Sequence, residues 1–291
     1  MRWQDFRRSE NVEEREDGAP SGFGVGGFKL GGGAILIVVI VSLLLGKNPL
    51  DVLTLLEGGA PPQVSVPTSP TGSPSTRPAN DPQHDFVRAV LGDTEDVWGR
   101  LFQQMGRQYQ APRLVLFREY TSSACGVASA ATGPFYCPAD RRVYLDLAFF
   151  QELSQRFGAP GDFARSYVIA HEIGHHVQNQ LGLMDEAQNG AGLSSRGQSA
   201  RSVRLELQAD CLAGVWGHDA AKRGALETRD IEEGLAAAAA VGDDRLQQQS
   251  RGYAVPESFT HGSSAQRVRW FRTGLQSGNI RDCDTFSARN P

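Results

Sequence analysis

The feature that most constrains this sequence is the stretch His-Glu-Ile-Gly-His at residues 171–175. Residues four apart in a helix lie one above the other on one face, so a helix would bring His171 and His175 to a single metal ion. The flanking sequence has helical periodicity, and we predict a helix over residues 162–181. Glu172 would project about 100° away, beside the ion, where a general base is needed. The alternative is a pair of surface histidines on an amphipathic helix.

A second pair of residues completes the predicted zinc site. A catalytic zinc ion has three protein ligands and one open position. The metzincin pattern would supply a histidine at position 181, which is Leu181 here. Glu206 and Asp210 share a helix face at i, i+4, and we predict Glu206 as the third ligand and Asp210 as the acceptor of a histidine N–H. His218 is a lower-ranked alternative ligand, and a solvated acidic face is the alternative for the pair.

An uncharged apolar stretch at residues 30–46 is bounded by Lys29 and Lys47. Its length is at the lower limit for a transmembrane helix, about 17–25 residues, and we predict a single membrane anchor. Five Lys/Arg precede it and few follow. The positive-inside rule therefore predicts a cytoplasmic N-terminus and an extracytoplasmic domain at the cell membrane. A cleaved signal peptide and a buried core helix are the alternatives. Residues 1–29, polar and mixed in charge, are predicted to be a disordered cytoplasmic tail.

The rest of the chain divides into a linker and one domain. Residues 47–84 are rich in Pro, Ser and Thr and cannot build a core, so we predict a linker. Residues 85–291 have a globular composition, with strand-like segments early and helical periodicity late, which predicts an α+β domain with a small β-sheet followed by a mainly helical part. The net charge of −4 and the lack of a long basic run argue against a nucleic-acid partner.

Seven motifs of the domain resemble the bacterial putative neutral zinc metallopeptidase family: residues 121–126, 133–138, 143–146, 167–178, 206–216, 242–245 and 259–264. The resemblance covers about residues 85–290. It implies a zincin-like fold, a bound Zn²⁺ and hydrolysis of a peptide or protein substrate, with an N-terminal membrane anchor and spacer. More distantly, the chain is similar to the gluzincin peptidases, which share the H-E-x-x-H and E-x-x-x-D elements.

A Thr-His pair extends the gluzincin resemblance to His261. One membrane-associated gluzincin group has a proline after this histidine, where the present chain has Gly262. The resemblance implies that His261 stabilises the oxyanion or caps the zinc as a reversible blocker. The alternative is a structural histidine under a loop.

Four cysteines can form disulfides if the domain is extracytoplasmic. Cys125 and Cys137 flank a short loop that enters the sheet, so we pair them, and Cys211 and Cys283 then pair by elimination. Four cysteines allow three connectivities, and four reduced buried thiols are the alternative.

Two functional hypotheses follow. The first is a membrane-anchored zinc endopeptidase in which His171, His175 and Glu206 bind zinc and Glu172 is the general base. Its substrate would add as a strand to a sheet edge, at residues 143–147 or 114–117. The second is a non-catalytic module for envelope binding or assembly, whose zinc site would be closed by four protein ligands.

Overall fold

The computed structural model describes residues 1–15, 81–129, 132–184 and 195–291. These residues form an α+β fold that is mainly helical, as predicted. The strands come early in the chain and most helices later. Residues 16–80 lie outside the described part, and with them the predicted anchor at 30–46 and nearly all of the linker at 47–84. In the part that the structure describes, no helix combines the length and apolar character needed to cross a bilayer.

The strands form a four-stranded sheet and a separate hairpin. The sheet has the order β1-β2-β6-β5, in which the first two pairings are parallel and β5 runs antiparallel to β6. The hairpin consists of β3 and β4. The strands are β1 Val12–Glu14, β2 Arg113–Phe117, β3 Tyr120–Ser123, β4 Gly126–Ser129, β5 Phe135–Cys137 and β6 Arg142–Asp146.

Seven α-helices lie among the described residues. They are α1 Pro82–Gln104, α2 Ala148–Gln155, α3 Asp162–Leu181, α4 Ser195–Lys222, α5 Thr228–Ala240, α6 Asp243–Arg251 and α7 Ser264–Ser277. The predicted helix at 162–181 is confirmed, and it ends at Gly182 in the left-handed conformation that stops a helix.

The core of the helical part is aromatic and leads directly to the histidine motif. Phe163, Tyr167 and His171 follow one another at i, i+4 spacing, so they lie along one face of α3. Phe163 stacks on Trp216 of α4, with ring centroids 5.7 Å apart, and Tyr167 meets Phe271 of α7 edge to face at 5.0 Å. Because all four aromatic side chains are buried, the face of α3 that anchors the helix also sets the direction of the first histidine.

Residues 1–15 are ordered, so this part of the predicted disordered tail is wrong. Phe6 is buried and β1 pairs with β2. Arg7 binds Glu95 and Asp96, while Arg8 binds Asp85. The mixed charge resembled a solvated tail only because the complementary acids lie far away in the sequence, on α1. The folded domain therefore includes residues 1–15 and is larger than the predicted 85–291.

The predicted substrate strands are also corrected. Residues 114–117 belong to β2, which has β1 on one side and β6 on the other. Residues 143–146 belong to β6, which lies between β2 and β5. Both strands are central, so neither offers a free edge for strand addition. The N-terminal segment, whose strand character was not predicted, covers the edge of β2.

Both predicted disulfides are present. Cys125 bonds to Cys137, and Cys211 bonds to Cys283. The second bond ties α4, one residue after Asp210, to the C-terminal segment. The predicted connectivity is confirmed over the alternative pairings.

Candidate metal centre

Helices α3 and α4 approach closely at the histidine motif. Gly174 lies against the backbone of Ala209, and a Cβ at Gly174 would be only 2.8 Å from the Ala209 carbonyl oxygen. The glycine inside the motif therefore sets the distance between the two helices. This contact brings Glu206 of α4 to His171 and His175 of α3.

These three side chains form the one group of potential metal ligands found among the described residues, with one donor atom of each within 4.8 Å of the others. The Nε2 atom of His171 is 3.2 Å from Glu206 Oε2, and that of His175 is 3.5 Å from Oε1. Atoms that share a tetrahedral zinc ion at about 2.0–2.2 Å are separated by roughly 3.3–3.6 Å. Two imidazoles and a carboxylate at these separations fit a zinc ion.

Each histidine has a partner on its other ring nitrogen. His171 Nδ1 is 2.9 Å from Asp210 Oδ1, and His175 Nδ1 is 2.8 Å from Gln178 Oε1. A carboxylate and an amide oxygen accept hydrogen bonds, so both histidines carry the proton on Nδ1 and present Nε2 to the metal. The Gln178 amide cannot turn around, because its nitrogen donates to the Leu205 carbonyl and to Gln208.

The electrostatics of the group favour a cation. Burial alone would lower the pKa of His171, but Asp210 and Glu206 outweigh it and raise that pKa to about 10. Burial also opposes ionisation of Glu206, yet His261 and His175 hold its pKa well below the usual range. Carboxylates that stabilise a charged imidazole this strongly stabilise a zinc dication at the same place for the same reason.

Glu172 lies beside the ligands and is not part of their group. Its side chain is buried, and burial raises the pKa of the carboxyl above its usual value despite the two neighbouring histidines. A carboxylate with a raised pKa is the stronger base. The structure places Glu172 next to the metal-binding group, with its side chain buried.

His261 reaches the same site from the loop before α7. Its charge lowers the pKa of Glu206, and burial of His261 is outweighed by Glu206 and Asp243, so its own pKa is raised. Asp243 Oδ1 is 3.2 Å from His261 Nδ1. The other oxygen, Oδ2, accepts the backbone N–H groups of residues 260, 261 and 262. Asp243 therefore holds both the loop and the imidazole, and leaves Nε2 of His261 available to the site.

The remaining candidate histidine lies elsewhere. His218, the lower-ranked alternative ligand, donates from Nδ1 to the Leu275 carbonyl at 2.9 Å and does not belong to the metal-binding group. It fastens α4 to α7 instead.

Three residues of the site were missed in the sequence. Gln178 and Asp243 lie inside two of the family motifs, at residues 167–178 and 242–245, and this position is a signal that could have identified them as partners of histidines. Arg267, which binds Asp210, lies just after the last motif. Nothing in its spacing indicates a contact with a helix nearly sixty residues earlier.

Comparison with known proteins agrees with this geometry. The sequence profile of a family described as "Putative neutral zinc metallopeptidase" matches residues 1–286. The chain belongs to this family. The match includes the N-terminal segment, in agreement with its place in the fold.

Two relatives illustrate the similarity of this chain to other bacterial proteins. Uncharacterized protein YpfJ of Escherichia coli strain K12 is 48% identical over 290 residues, which cover 98% of this chain and 99% of the relative. Uncharacterized protein Rv2575 of Mycobacterium tuberculosis strain H37Rv is 42% identical over 266 residues, covering 88% of this chain and 85% of the relative. No solved structure matches the chain.

Proposed function

We propose that this zinc metallopeptidase family member is a zinc-dependent endopeptidase with Glu172 as its general base. The observation that carries the proposal is the convergence of His171, His175 and Glu206 next to a buried carboxylate that is not one of the ligands. A structural zinc site needs a fourth protein ligand, not a general base.

The zinc ligands, Glu172 and His261 each have a separate role in the proposed reaction. Zinc bound to the three ligands would supply Lewis-acid chemistry, polarising a peptide carbonyl and activating water for attack. Glu172 takes the proton of the attacking water and delivers it to the amine that leaves when the C–N bond breaks. His261, held by Asp243, donates a hydrogen bond from Nε2 to the carbonyl oxygen on which negative charge develops.

The test uses Glu172→Gln, which keeps size and polarity and removes the base. We expect zinc content equal to wild type and hydrolysis of an unfolded protein substrate reduced by at least about a hundredfold. Glu152→Gln, at an exposed position of α2, is the matched control and should retain full activity. A Glu172→Gln protein that binds zinc and keeps its turnover would reject the base assignment.

A second candidate function is a non-catalytic zinc module for envelope binding or assembly. The observation in its favour is the electrostatic interaction of His261 with Glu206, since a His261 that served as the fourth ligand would close the site. The two functions differ for His261→Ala. The endopeptidase keeps its zinc and loses turnover, whereas the closed module loses zinc affinity.

Attachment to the cell membrane through residues 30–46 is part of the proposal. The uncharged apolar run between Lys29 and Lys47 supports it. Deletion of residues 30–46 should release the protein from the membrane fraction without loss of bound zinc. A deleted protein that still sediments with membranes would contradict this attachment.

A further inference from the structure

Arg267 is a buried cation that touches no candidate zinc ligand more closely than 3.4 Å. Its Nε donates to Asp210 Oδ2 at 2.8 Å and its Nη2 to Asp210 Oδ1 at 2.9 Å. The remaining donors reach the Tyr167 hydroxyl and the Val241 carbonyl, both at 3.2 Å. Two parallel bonds to one carboxylate form the bidentate arrangement that fixes the plane of a carboxylate.

Asp210 is fully buried, and its orientation decides the orientation of His171. The same Oδ1 atom contacts His171 Nδ1, the Tyr167 hydroxyl and Arg267. If the carboxylate turned, the N–H of His171 would lose its acceptor and the imidazole could rotate. A buried ion pair is a weak source of stability, so specificity of geometry is the better reason for this one.

Backbone contacts hold Arg267 at this place. A Cβ at Gly274 of α7 would be 1.9 Å from the Cys211 carbonyl oxygen, and one at Gly214 of α4 would be 2.2 Å from the Phe271 carbonyl oxygen. The backbones of α4 and α7 are therefore in close contact at two glycines, one on each helix. This close packing sets the position of the Arg267 guanidinium relative to Asp210.

We propose that Arg267 is a positioning residue of the metal centre, which locks Asp210 so that His171 presents Nε2 to zinc. The proposal rests on the proposed zinc site and is independent of the reaction. Its effect passes along the chain Arg267–Asp210–His171 and ends at the metal. It should therefore appear in zinc affinity even if the protein cleaves no peptide.

The test compares zinc affinities of the full chain by competition with a chelator. Arg267→Met removes the fork and keeps apolar volume, and Arg267→Lys keeps the charge without the fork. Partners of metal-bound histidines contribute about 10–100-fold in affinity, so we expect a loss of at least about tenfold for Met and a smaller loss for Lys. Arg269→Met, at an exposed position of the same helix, is the matched control and should be unchanged.

Two further measurements separate positioning from general stability. The visible spectrum of the cobalt-substituted protein should change in Arg267→Met and stay unchanged in Arg269→Met. In an Asp210→Ala background, Arg267→Met should have little additional effect on zinc affinity, because the acceptor through which Arg267 acts on His171 is already absent. If Arg267→Met does not fold, Arg267→Lys decides. A folded variant with wild-type affinity and cobalt spectrum would overturn the proposal.

A separate observation concerns the side of the membrane on which the chain lies. The N-terminal segment, residues 1–15, is joined to the domain by β1 pairing and by close backbone contact. Trp3 Nε1 donates to Asp162 Oδ2, on the first residue of α3, at 2.9 Å. A Cβ at Gly92 of α1 would be 2.2 Å from the Arg7 carbonyl oxygen. The predicted topology would place this segment and its binding site in different compartments.

We infer that the N-terminal segment and the domain lie on the same side of the membrane. The four cysteines of the chain are all in disulfides, so single cysteines can be introduced at the exposed positions Glu10 and Arg229. We expect both to react equally with a membrane-impermeant maleimide on intact cells and after permeabilisation. Labelling of one site alone on intact cells would overturn the inference and restore the predicted two-sided topology.

The contact at Gly92 gives this inference a control. Gly92→Ala should displace the N-terminal segment and raise the labelling of Trp3→Cys after permeabilisation, because the added methyl cannot fit against Arg7. Gly99→Ala on the same helix meets nothing within 4 Å and should leave Trp3→Cys labelling unchanged. Equal labelling in both variants would show that the segment does not dock on the domain and would also overturn the inference.

Discussion

Gly174→Ala tests whether the approach of α3 to α4 creates the metal centre. The added Cβ would be 2.8 Å from the Ala209 carbonyl oxygen, whereas ordinary contact begins at 3.4 Å. The helices must separate by about 0.6 Å, and overpacking of this kind costs about 1–3 kcal/mol. Alanine recovers about 1 kcal/mol of helix propensity. We therefore expect a net loss of roughly 0–2 kcal/mol in the free energy of unfolding without zinc.

The effect on zinc should be larger than the effect on folding. A site loses function when its ligands move by more than about 0.5 Å, and Gly174 lies between His171 and His175 and faces the helix that carries Glu206. We expect zinc affinity to fall by at least about tenfold. Because a ligand stabilises the folded state in proportion to the logarithm of its affinity, the zinc-dependent part of the stability should fall by about 1.4 kcal/mol or more.

The assay is urea unfolding of the disulfide-intact protein with chelator and with excess zinc. Gly99→Ala, an open helical position in α1, is the matched control. It should gain up to about 1 kcal/mol and keep the full zinc increment. A Gly174→Ala protein with the wild-type zinc increment would refute the reasoning, since the helix separation would then not govern the ligand geometry.

Three further predictions concern other parts of the molecule. Asp243→Asn should lower kcat for peptide hydrolysis by about tenfold or more, because it weakens the contact that holds His261. Zinc affinity should stay within about twofold, because Asp243 contacts none of the predicted zinc ligands. A loss confined to zinc binding would contradict this prediction. Replacing Cys211 and Cys283 by serine should reduce the free energy of unfolding by about 4 kcal/mol, because this bond spans 72 residues. The same change at Cys125 and Cys137, whose bond spans 12 residues, should cost about 3 kcal/mol. Chemical denaturation measures both losses, and a reversed order would contradict the chain-entropy argument. Burial and the hydrogen bond to Asp140 raise the pKa of Tyr144 to about 12, so the stability that this phenol contributes is intact below pH 10 and lost as the pH rises from 10 to 12. Tyr144→Phe should flatten the fall in the urea midpoint over that range, and an unchanged slope would count against the assignment.

The helical motifs could be predicted from the sequence because their information is local. His171 and His175 needed only the 3.6-residue period, and Glu206 with Asp210 needed the same rule on the next helix. The assignment of Glu206 as ligand and Asp210 as histidine partner rested on that spacing, and the resemblance to the zinc metallopeptidase family added the expected peptidase chemistry. The disulfides were predicted from the short loop between Cys125 and Cys137, which left Cys211 and Cys283 to pair by elimination.

What could not be predicted depends on contacts between distant parts of the chain. Arg7 has the local sequence of a solvated tail, because its partners on α1 are more than eighty residues away in the sequence. Arg267 has no local signal, since its role comes from the contact of α7 with α4. The centrality of β6 also depended on a non-local pairing, with β5 on one side and β2 on the other. Local periodicity identifies elements, but it does not identify their neighbours.

The central claim is a zinc ion held by His171, His175 and Glu206 with one position left for chemistry. Anomalous diffraction at the zinc absorption edge, on crystals of the zinc-loaded protein, tests it most directly. We predict one peak about 2.0–2.2 Å from both Nε2 atoms and from a Glu206 oxygen, with a non-protein fourth ligand. If His261 occupied the fourth position as a protein ligand, the catalytic claim would be contradicted. A peak away from these residues would contradict the metal centre itself.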